Sequence, residues 1–273
     1  MNKEFSVLLS VYINEKPNYF KLAIDSLLKQ TLCPSQIVIV EDGPLSDELY
    51  KEIKIYEDKY GELFTVVKLK ENVGLGAALN YGLAHVKYEL VARMDTDDIC
   101  YSDRFEKQIE FLIQNPDISV VGGSVQEFRS EPNDLGTFRI LPSENSELIS
   151  FSQFRTPLNH PTVIFRKSHI LEIGSYKTML YFEDFYLWVR LIMRGYKIHN
   201  LKDPVLHFRI GNDMIGRRSG IQYVKKEFKF LNEAYKIGFL KTSNYILSLI
   251  FKLPFRLLPK RFIVFIYKKL VRK

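Results

Sequence analysis

The sequence of 273 residues has only two cysteines, one tryptophan and no long apolar run. Cys33 and Cys100 are too few for a disulfide framework, and no Cys/His spacing typical of a metal site occurs in the sequence. Fourteen glycines and eleven prolines exclude a collagen-like or low-complexity chain. No apolar run reaches the roughly 18–20 residues that cross a bilayer, and the N-terminus lacks the apolar segment of a signal peptide. We therefore expect a globular protein that stays in the cytoplasm.

Positive and negative charges are unevenly distributed along the chain. The net charge of +7 comes from 39 Lys and Arg against 32 Asp and Glu. From Arg217 to the end there are 15 basic and 2 acidic residues, whereas residues 1–216 contain 24 basic and 30 acidic residues. This asymmetry predicts a boundary between an acidic body, residues 1–216, and a basic C-terminal region, residues 217–273.

Strand and helix patterns alternate through the first half of the body. Short apolar runs predict buried strands, and apolar residues at helical spacing predict helices between them. The predicted strands cover residues 5–11, 37–40, 64–69 and 90–94, and the predicted helices cover residues 19–30, 49–60 and 74–86. This order predicts an α/β fold with a doubly wound parallel sheet that binds ligands at the carboxyl ends of its strands. Predicted strands at 119–128 and 161–166 and helices at 103–114 and 186–194 indicate an attached mixed sheet.

The predicted fourth strand ends at Asp95-Thr96-Asp97-Asp98. Three carboxylates in four residues repel one another unless a cation neutralises them, and hard divalent cations prefer oxygen ligands. A metal-bound nucleotide phosphate at the edge of the sheet is one interpretation. An acidic loop or a helix cap without a ligand is the other, because Asp favours both.

Two further acidic pairs lie at the ends of predicted elements. Glu41-Asp42 precedes a Gly-Pro turn, where a carboxylate either accepts hydrogen bonds from a base or ribose or caps the turn. Glu183-Asp184 precedes a helix, where an acid either acts as a general base or interacts with the helix dipole. Neither pair alone decides between a functional and a structural role.

The ordered set of motifs in residues 6–211 resembles the family 2 glycosyltransferases of the GT-A fold. The matching segments are SVLLSVYINE, IVIVEDG, ENVGLGAALNYGL, ARMDTDD, SDRFEKQIEFL, NHPTVIFRKS and FEDFYLWVRL. EDGPLSDEL, and DTDD together with RIGNDMIGRR, resemble the branch of amylovoran-biosynthesis-like and O-antigen repeat-unit enzymes. The resemblance implies that residues 1–216 form a GT-A catalytic domain, with a Rossmann-like nucleotide-binding sheet and an attached mixed sheet on the acceptor side.

The resemblance also implies which residues hold the donor nucleotide. Asp42 matches the residue that contacts uracil, and Asp95 matches the residue that approaches the ribose. The matching nucleoside site consists of Val11, Tyr12, Glu15, Asp42, Asn72, Gly74 and Asp95, followed by Ala78 and Asn80. Many relatives carry a basic residue where this chain has Leu79, so Lys70 is considered as a substitute for a phosphate contact, and a solvated lysine at the strand end is the favoured alternative.

A divalent cation and a catalytic base are implied by the same resemblance. The cation, Mn²⁺ or Mg²⁺, would neutralise the diphosphate of the leaving nucleotide. Asp97 is its implied ligand, with Asp95 and Asp98 as further ligands. Asp184 matches the catalytic base, with Glu183 as the alternative. The base would deprotonate an acceptor hydroxyl, and attack opposite the UDP would invert the anomeric carbon.

Several other side chains are considered as contacts for the acceptor, a diphosphate or the metal. His160 and Trp188 lie near the implied acceptor side, and a buried structural role is the alternative for each. Arg217 and Arg218 either bind a diphosphate or form a solvated charge pair. Many relatives place a metal-binding His two residues after an Arg, where this chain has a glycine, so His207 is considered in its place, and a buried or rim position on a strand is the favoured alternative.

The basic C-terminal region has the pattern of interfacial helices. A predicted helix over residues 219–237 has one apolar stripe, formed by Ile221, Val224, Phe228, Leu231 and Tyr235. Two apolar stretches, residues 245–253 and 260–273, are flanked by Lys and Arg and are too short to span a bilayer. These features predict association with a membrane surface, and packing against the body is the alternative. The dense Ile, Leu and Phe content argues against nucleic acid as a partner.

Together these features predict an inverting, metal-dependent hexosyltransferase that is peripheral on the inner face of the cell membrane. The implied donor is a UDP-sugar, and the implied acceptor is a sugar on a polyprenyl diphosphate in O-antigen, capsule or exopolysaccharide synthesis. Two alternatives stay open. One is a nucleotidyltransferase of sugar phosphates, although the first loop lacks its Gly-rich basic pattern. The other is a catalytically silent, membrane-associated binding protein.

Overall fold

The computed structural model describes residues 3–211 and 218–258. The strands in these ranges are β1 (Phe5–Val11), β2 (Gln36–Glu41), β3 (Phe64–Lys68), β4 (Leu90–Arg93), β5 (Ile99–Cys100), β6 (Ile118–Phe128), β7 (Thr137–Arg139), β8 (Ile164–Arg166) and β9 (Lys197–Arg209). The helices are α1 (Pro17–Leu28), α2 (Asp47–Tyr60), α3 (Leu75–Leu83), α4 (Arg104–Gln114), α5 (Asn145–Ser152), α6 (Lys167–Glu172), α7 (Glu183–Met193), α8 (Ile221–Lys236), α9 (Thr242–Leu247) and α10 (Leu253–Phe255). Short 3₁₀ or π turns lie at Gly61–Leu63, His160–Thr162 and Ser248–Lys252.

These strands form one mixed sheet in the order β3-β2-β1-β4-β8-β6-β9-β5, and β7 pairs with β6. Strand β1 pairs in parallel with β2 and β4, and β2 pairs in parallel with β3. Strand β8 runs antiparallel to both β4 and β6 and joins the two halves of the sheet. The predicted α/β architecture, a parallel half with an attached mixed half, is therefore confirmed.

Apolar clusters cover both faces of the sheet, because successive residues of a strand point to opposite faces. On β1, Val7 and Leu9 belong to one buried cluster, whereas Leu8 belongs to the other. Gly82 of α3 permits a close approach on this second face. A Cβ atom there would lie 2.4 Å from Leu8 Cδ1 and 2.7 Å from Val40 Cγ2. Helix α3 therefore lies directly on β1 and β2, next to the predicted nucleotide site.

Two predicted elements of the second half have different bounds. The strand predicted over residues 161–166 begins only at Ile164, because Pro161 lies in the preceding 3₁₀ turn and has no N–H for a strand ladder. Helix α7 begins at Glu183, three residues before its predicted start. Acidic residues are favourable in the first turn of a helix, so the acidic pair belongs to α7 and is not a loop before it.

Strand β9 is a long element that the sequence does not predict. Its 13 residues include Lys202-Asp203-Pro204, which interrupt the apolar pattern of a strand. The register against β6 shifts beside Ser124, so the sheet accommodates this stretch as an irregularity. Beyond it, β9 pairs with β5 and brings Arg209 beside Asp98.

The C-terminal helices pack on the body through α8. A third buried apolar cluster joins Phe230 and Ala234 of α8 to Phe182, Phe185 and Val189 at α7. The alternative of packing against the body therefore holds for this face of α8. The predicted domain boundary after residue 216 lies outside the described residues.

The buried face of α8 differs from the predicted apolar stripe. Leu231 of that stripe is buried, but Ile221, Phe228 and Tyr235 are exposed. The buried face includes Glu227, because its carboxylate binds cations of the following helices, a tertiary contact that helical periodicity does not reveal. Helix α8 thus has an inward apolar face and an outward one. Among the described residues, no helix is long and apolar enough to cross a membrane.

Candidate active site

Three aspartates lie together just beyond the end of β4. Asp95, Asp97 and Asp98 each offer one carboxylate oxygen, and these oxygens lie within 4.8 Å of one another. Burial, together with the neighbouring carboxylates, raises the pKa of Asp97 to about 7 and also raises the pKa of Asp98. Asp98 Oδ2 is buried and has no hydrogen-bond partner among the described residues. Crowded carboxylates with an unpaired buried oxygen fit a hard divalent cation.

Two arginines bind this acidic cluster. Arg93 Nη2 donates to Asp95 Oδ1 at 2.5 Å, and the Arg93 side chain is almost fully buried. The Arg209 backbone N–H donates to Asp98 Oδ1 at 2.8 Å, and Arg209 Nε donates to the Asp97 carbonyl at 2.8 Å. Each arginine therefore fixes part of the cluster with a charge that the protein itself supplies.

Sequence reasoning missed both arginines. A signal for Arg93 exists, since a charged residue inside the apolar strand LVAR needs a buried partner. Arg209 gives no such signal, because its partners come from distant parts of the chain. Its guanidinium carbon lies 3.8 Å from the ring centroid of Tyr19 in α1 and 4.3 Å from that of Phe128 in β6.

Asp42, Asn72 and Gly74, predicted as nucleoside contacts, lie together after β2 and β3. Asp42 Oδ1 accepts a hydrogen bond from the Val73 backbone N–H at 2.7 Å, and its Oδ2 accepts one from Gly74 at 3.2 Å. Asn72 Nδ2 donates to the Asp42 carbonyl at 3.2 Å. Gly43, at φ +85°, permits this contact, because a Cβ there would lie 2.6 Å from Asn72 N. The Asp42 carboxylate is therefore held in place by the loop that follows β3.

The loop after β1 reaches the acidic cluster through Glu15. Thr96 Oγ1 donates to Glu15 Oε2 at 2.5 Å, and burial raises the pKa of Glu15. Tyr12 is exposed, so its ring is available to a ligand. The side chain of Val11 is fully buried in the core, and its carbonyl accepts the Asp42 N–H at 2.8 Å. Any nucleoside contact by Val11 is therefore limited to its backbone.

The side chains of α3 that were predicted near the nucleotide make contacts within the protein. Ala78 and Leu79 are fully buried in the core, so the position that is basic in many relatives faces apolar neighbours here. Asn80 Nδ2 donates to the Tyr176 carbonyl at 2.9 Å, and Asn80 Oδ1 accepts the Tyr176 N–H at 3.0 Å. Lys70 is exposed. Asn80 therefore joins α3 to the segment before α7.

The acidic pair at the start of α7 has two different surroundings. Glu183 packs against α3, where a Cβ at Gly76 would lie 3.1 Å from Glu183 Cγ. Burial raises the pKa of Asp184, and the guanidinium groups of Arg218 and Arg93 partly offset that rise. Asp184 therefore shares the field of Arg93 with the acidic cluster, which favours it over Glu183 as the predicted base.

His160 and Trp188 are core residues. His160 Nε2 lies 2.8 Å from Tyr176 Oη, and burial next to Arg93 lowers the pKa of His160 well below its usual value. Trp188 is fully buried in an apolar cluster, with its ring centroid 6.1 Å from that of His160. Apolar packing hides the Trp188 ring, which favours its buried structural role over contact with the acceptor. His160 remains neutral and supports Tyr176.

The remaining predicted residues have separate outcomes. Arg217 lies outside the described residues, and Arg218 is exposed near enough to Asp184 to act on its charge. The ring of His207 stacks on Tyr101 with centroids 4.1 Å apart. The metal-type cluster found in the described residues does not include His207. A strand position without metal is therefore the interpretation of His207 that the geometry favours.

The sheet topology, the acidic cluster after β4 and the acidic pair at α7 together define a GT-A glycosyltransferase. The sequence model of the family described as Glycosyl transferase family 2 matches residues 6–224. The chain belongs to this family and has its GT-A fold, as the resemblance predicts. Glycosyl transfer is thereby confirmed over the two alternatives that the residues left open.

Two relatives are similar over nearly the whole chain. Amylovoran biosynthesis glycosyltransferase AmsE of Erwinia amylovora is 38% identical over 270 residues, which cover 97% of this chain and 98% of AmsE. UDP-Gal:alpha-D-GlcNAc-diphosphoundecaprenol beta-1,3-galactosyltransferase of Escherichia coli is 35% identical over 272 residues, 99% of this chain and 97% of the relative. The solved structure of mannosyltransferase PcManGT from Pyrobaculum calidifontis, in complex with GDP-Man and Mn²⁺, is similar with a TM-score of 0.67 at 17% identity. That likeness covers 97% of this chain and 75% of PcManGT.

Proposed function

We propose that this protein is an inverting, metal-dependent hexosyltransferase that moves a hexose from a UDP-sugar to a sugar on a polyprenyl diphosphate. The Escherichia coli relative carries the proposal, because it takes UDP-Gal and a GlcNAc-diphosphoundecaprenol acceptor and aligns with 99% of this chain. The amylovoran relative supports a role in the synthesis of a bacterial surface polysaccharide, such as O-antigen, capsule or exopolysaccharide.

The donor nucleoside binds between the loops after β1, β2 and β3. Asp42 accepts one backbone N–H at each carboxylate oxygen, and each oxygen keeps a second lone pair for an N–H of uracil. The exposed ring of Tyr12 is available to stack on the base. Asp95 approaches the ribose, because its carboxylate is already oriented by Arg93.

Asp97 and Asp98 would hold the divalent cation, Mn²⁺ or Mg²⁺. The unpaired Oδ2 of Asp98 and the raised pKa values of both groups indicate carboxylates that are incompletely neutralised by the protein. When bound, the cation supplies positive charge that stabilises the departing diphosphate. Arg209 keeps the two aspartates in position through the Asp97 carbonyl and Asp98 Oδ1.

Asp184 acts as the general base of the transfer. Its carboxylate takes the proton of the acceptor hydroxyl, and the hydroxyl oxygen forms a bond to the anomeric carbon. The bond between that carbon and the diphosphate oxygen breaks, and its electron pair leaves with UDP. Attack opposite UDP converts an α-linked donor into a β-linked product. The beta-1,3 linkage made by the Escherichia coli relative agrees with this stereochemistry.

We assign catalysis to residues 1–216 and membrane association to residues 217–273, at the cytoplasmic face of the membrane. Lipid-linked acceptors are confined to that surface, and the basic charge of the C-terminal region favours anionic lipid. The charge of Arg218 acts on Asp184, and we infer that the same guanidinium contacts the acceptor diphosphate.

A transfer assay with a panel of UDP-hexoses, Mn²⁺ and a synthetic GlcNAc-diphosphate lipid tests the proposal, with NMR of the product. We expect a β-linked disaccharide and a loss of about 10³-fold in kcat for Asp184→Asn. Glu183→Gln is the matched control and should keep most of the activity. An α-linked product, or an active Asp184→Asn enzyme beside an inactive Glu183→Gln enzyme, would contradict the mechanism.

A further inference from the structure

The C-terminal helices connect an exposed apolar surface to the segment that carries the acidic pair. We define the base segment as residues 181–185. Phe230 of α8 stacks on Phe182 with ring centroids 5.0 Å apart and planes at 9°, and it lies 4.5 Å from the Phe185 ring. Tyr223 of α8 lies 5.5 Å from Phe182. Helix α8 therefore packs against residues on both sides of the acidic pair.

The backbone of the base segment depends on these contacts. Tyr181 has φ +70°, a conformation that non-glycine residues hold only when their surroundings determine it. Its ring lies 5.8 Å from the Tyr223 ring, and Lys226 Nζ lies 4.2 Å from the Tyr181 ring centroid. Both neighbours come from α8. A change in the order of α8 therefore changes the support of the base segment.

The last helices are fastened to α8 by buried charge. Glu227 is fully buried, and its two oxygens lie 2.7 Å from Lys252 Nζ and 2.9 Å from Arg256 Nε. The rings of Tyr235 and Tyr245 stack with centroids 4.5 Å apart. A force on the last helices is therefore transmitted to α8, because a buried ion pair resists separation.

The outer face of these last helices is apolar and exposed. We define the C-terminal apolar stripe as six side chains that are between 41% and 68% exposed: Ile246, Leu247, Ile250, Phe251, Leu257 and Leu258. They lie within residues 246–258, in α9, in the following π turn and just after α10. Exposed apolar side chains concentrated in this way mark a candidate interaction surface.

The net charge of the C-terminal helices identifies the partner. Residues 218–258 contain eight Lys and Arg and two acids. Glu227 is neutralised inside the fold, and Glu233 pairs with Lys236 at 3.0 Å. Lys225, Lys229 and Lys241 are exposed. An apolar surface with surplus positive charge is complementary to an anionic bilayer, where acyl chains receive the stripe and headgroups attract the lysines.

We propose that the C-terminal apolar stripe docks on an anionic lipid bilayer and that docking orders the base segment through α8. The interface thus tightens the catalytic base only when the protein is on the membrane that holds its acceptor. The docking itself is independent of the reaction, whereas the coupling rests on the proposed function, which gives Asp184 its role.

Vesicle sedimentation of the full chain tests the docking. We compare vesicles of phosphatidylcholine alone with vesicles that also contain phosphatidylglycerol, and we expect binding to the second kind only. Ile250→Ser with Phe251→Ser should weaken that binding roughly tenfold or more, because two exposed side chains leave the lipid. Ile55→Ser, at an exposed apolar position of α2, is the matched control and should bind like the wild type.

The charge component has its own variant. Lys225→Glu with Lys229→Glu should weaken binding to the anionic vesicles and make it less dependent on salt. Undiminished binding of the Ile250/Phe251 double variant would overturn the assignment of the surface. Light scattering is measured on the same samples. A stripe variant that loses a dimer yet keeps vesicle binding would show that a second copy, and not lipid, covers the stripe.

Hydrogen exchange of residues 181–185 tests the coupling without any substrate. Anionic vesicles should slow exchange there by about fivefold in the wild type and in Ile55→Ser, but not in the Ile250/Phe251 double variant. Binding without a change in exchange would overturn the coupling. Because neither measurement uses a sugar donor, a failure here is distinguishable from a failure of the proposed reaction.

Discussion

The body carries a surplus of negative charge, whereas the C-terminal region carries a surplus of positive charge. Both regions bind buried charged groups with side chains of the opposite sign. In the body, the aspartates after β4 are partly neutralised by the buried Arg93 and by Arg209. In the C-terminal helices, the buried Glu227 binds Lys252 and Arg256. Each region also leaves charge available to a ligand, because Asp98 Oδ2 in the body is buried without a hydrogen-bond partner among the described residues, and Lys225, Lys229 and Lys241 are exposed at the C-terminal helices. We infer that this charge binds a cation and nucleotide in the body and lipid at the C-terminal helices.

The largest expected effect is predicted for Asp98, whose Oδ2 has no hydrogen-bond partner among the described residues. Asp98→Asn should lower kcat/KM by about 10³-fold, because it removes a charge aimed at the cation and the departing diphosphate. Steady-state assays with titrated Mn²⁺ measure the loss. Asp117→Asn, at an exposed carboxylate that pairs with Lys197, is the control and should be neutral. Normal activity of Asp98→Asn would show that the unpaired carboxylate of the body is not needed for a cation or a diphosphate.

The next effect concerns the paired charges of the C-terminal helices. Glu227→Ala should lower the free energy of unfolding by about 3 kcal/mol, because two cations lose the carboxylate between them. Urea denaturation followed by circular dichroism measures the change. Glu233→Ala breaks a solvent-exposed pair with Lys236 and should cost no more than about 0.5 kcal/mol. Equal losses in the two variants would mean that burial of the pair is unimportant.

A smaller effect joins the two regions through Arg218. The pKa of Asp184 is raised by burial, so activity should fall as the pH drops through that pKa and the base becomes protonated. Arg218→Gln removes a charge that opposes the rise, so the acidic limb of the kcat profile should move to higher pH. Lys51→Gln on α2 is the control. If the acidic limb does not move, the charge of Arg218 in the C-terminal region does not affect the pKa of the catalytic base.

The smallest effect is expected at Lys70. Lys70→Ala should change kcat/KM by about twofold or less, because the exposed side chain is far less constrained than the two arginines of the cluster. A donor-dependence assay measures KM for the UDP-sugar. A tenfold rise in KM would identify Lys70 as the phosphate contact that replaces the basic residue missing at Leu79.

Local patterns were sufficient to predict the parallel half of the fold. Strands β1 to β4 are apolar runs that end in polar residues, and the helices between them have one apolar face, so length and periodicity distinguish the two kinds of element. The cluster of Asp95, Asp97 and Asp98 was predicted for the same reason, because three neighbouring acids are visible in the sequence and the sheet edge gives them a place.

Contacts between distant segments limited the rest of the prediction. Arg209 reaches the aspartates only because the irregular strand β9 returns to the first half of the sheet. Trp188 is an aromatic residue one turn from the acidic pair, and only the packing around it shows that it is buried. The inward face of α8 was not predicted, because the partners of Glu227 follow it by 25 and 29 positions.

Arg209 holds the loop that carries the three aspartates in a fixed position. Its side chain is clamped between Tyr19 and Phe128 while it bonds the loop after β4, so α1, β6 and β9 jointly fix the position of the carboxylates. This arrangement does not depend on a bound cation, because the contacts that hold it lie within the protein. Protein stripped by a chelator should therefore regain activity as fast as the proposed cation is restored.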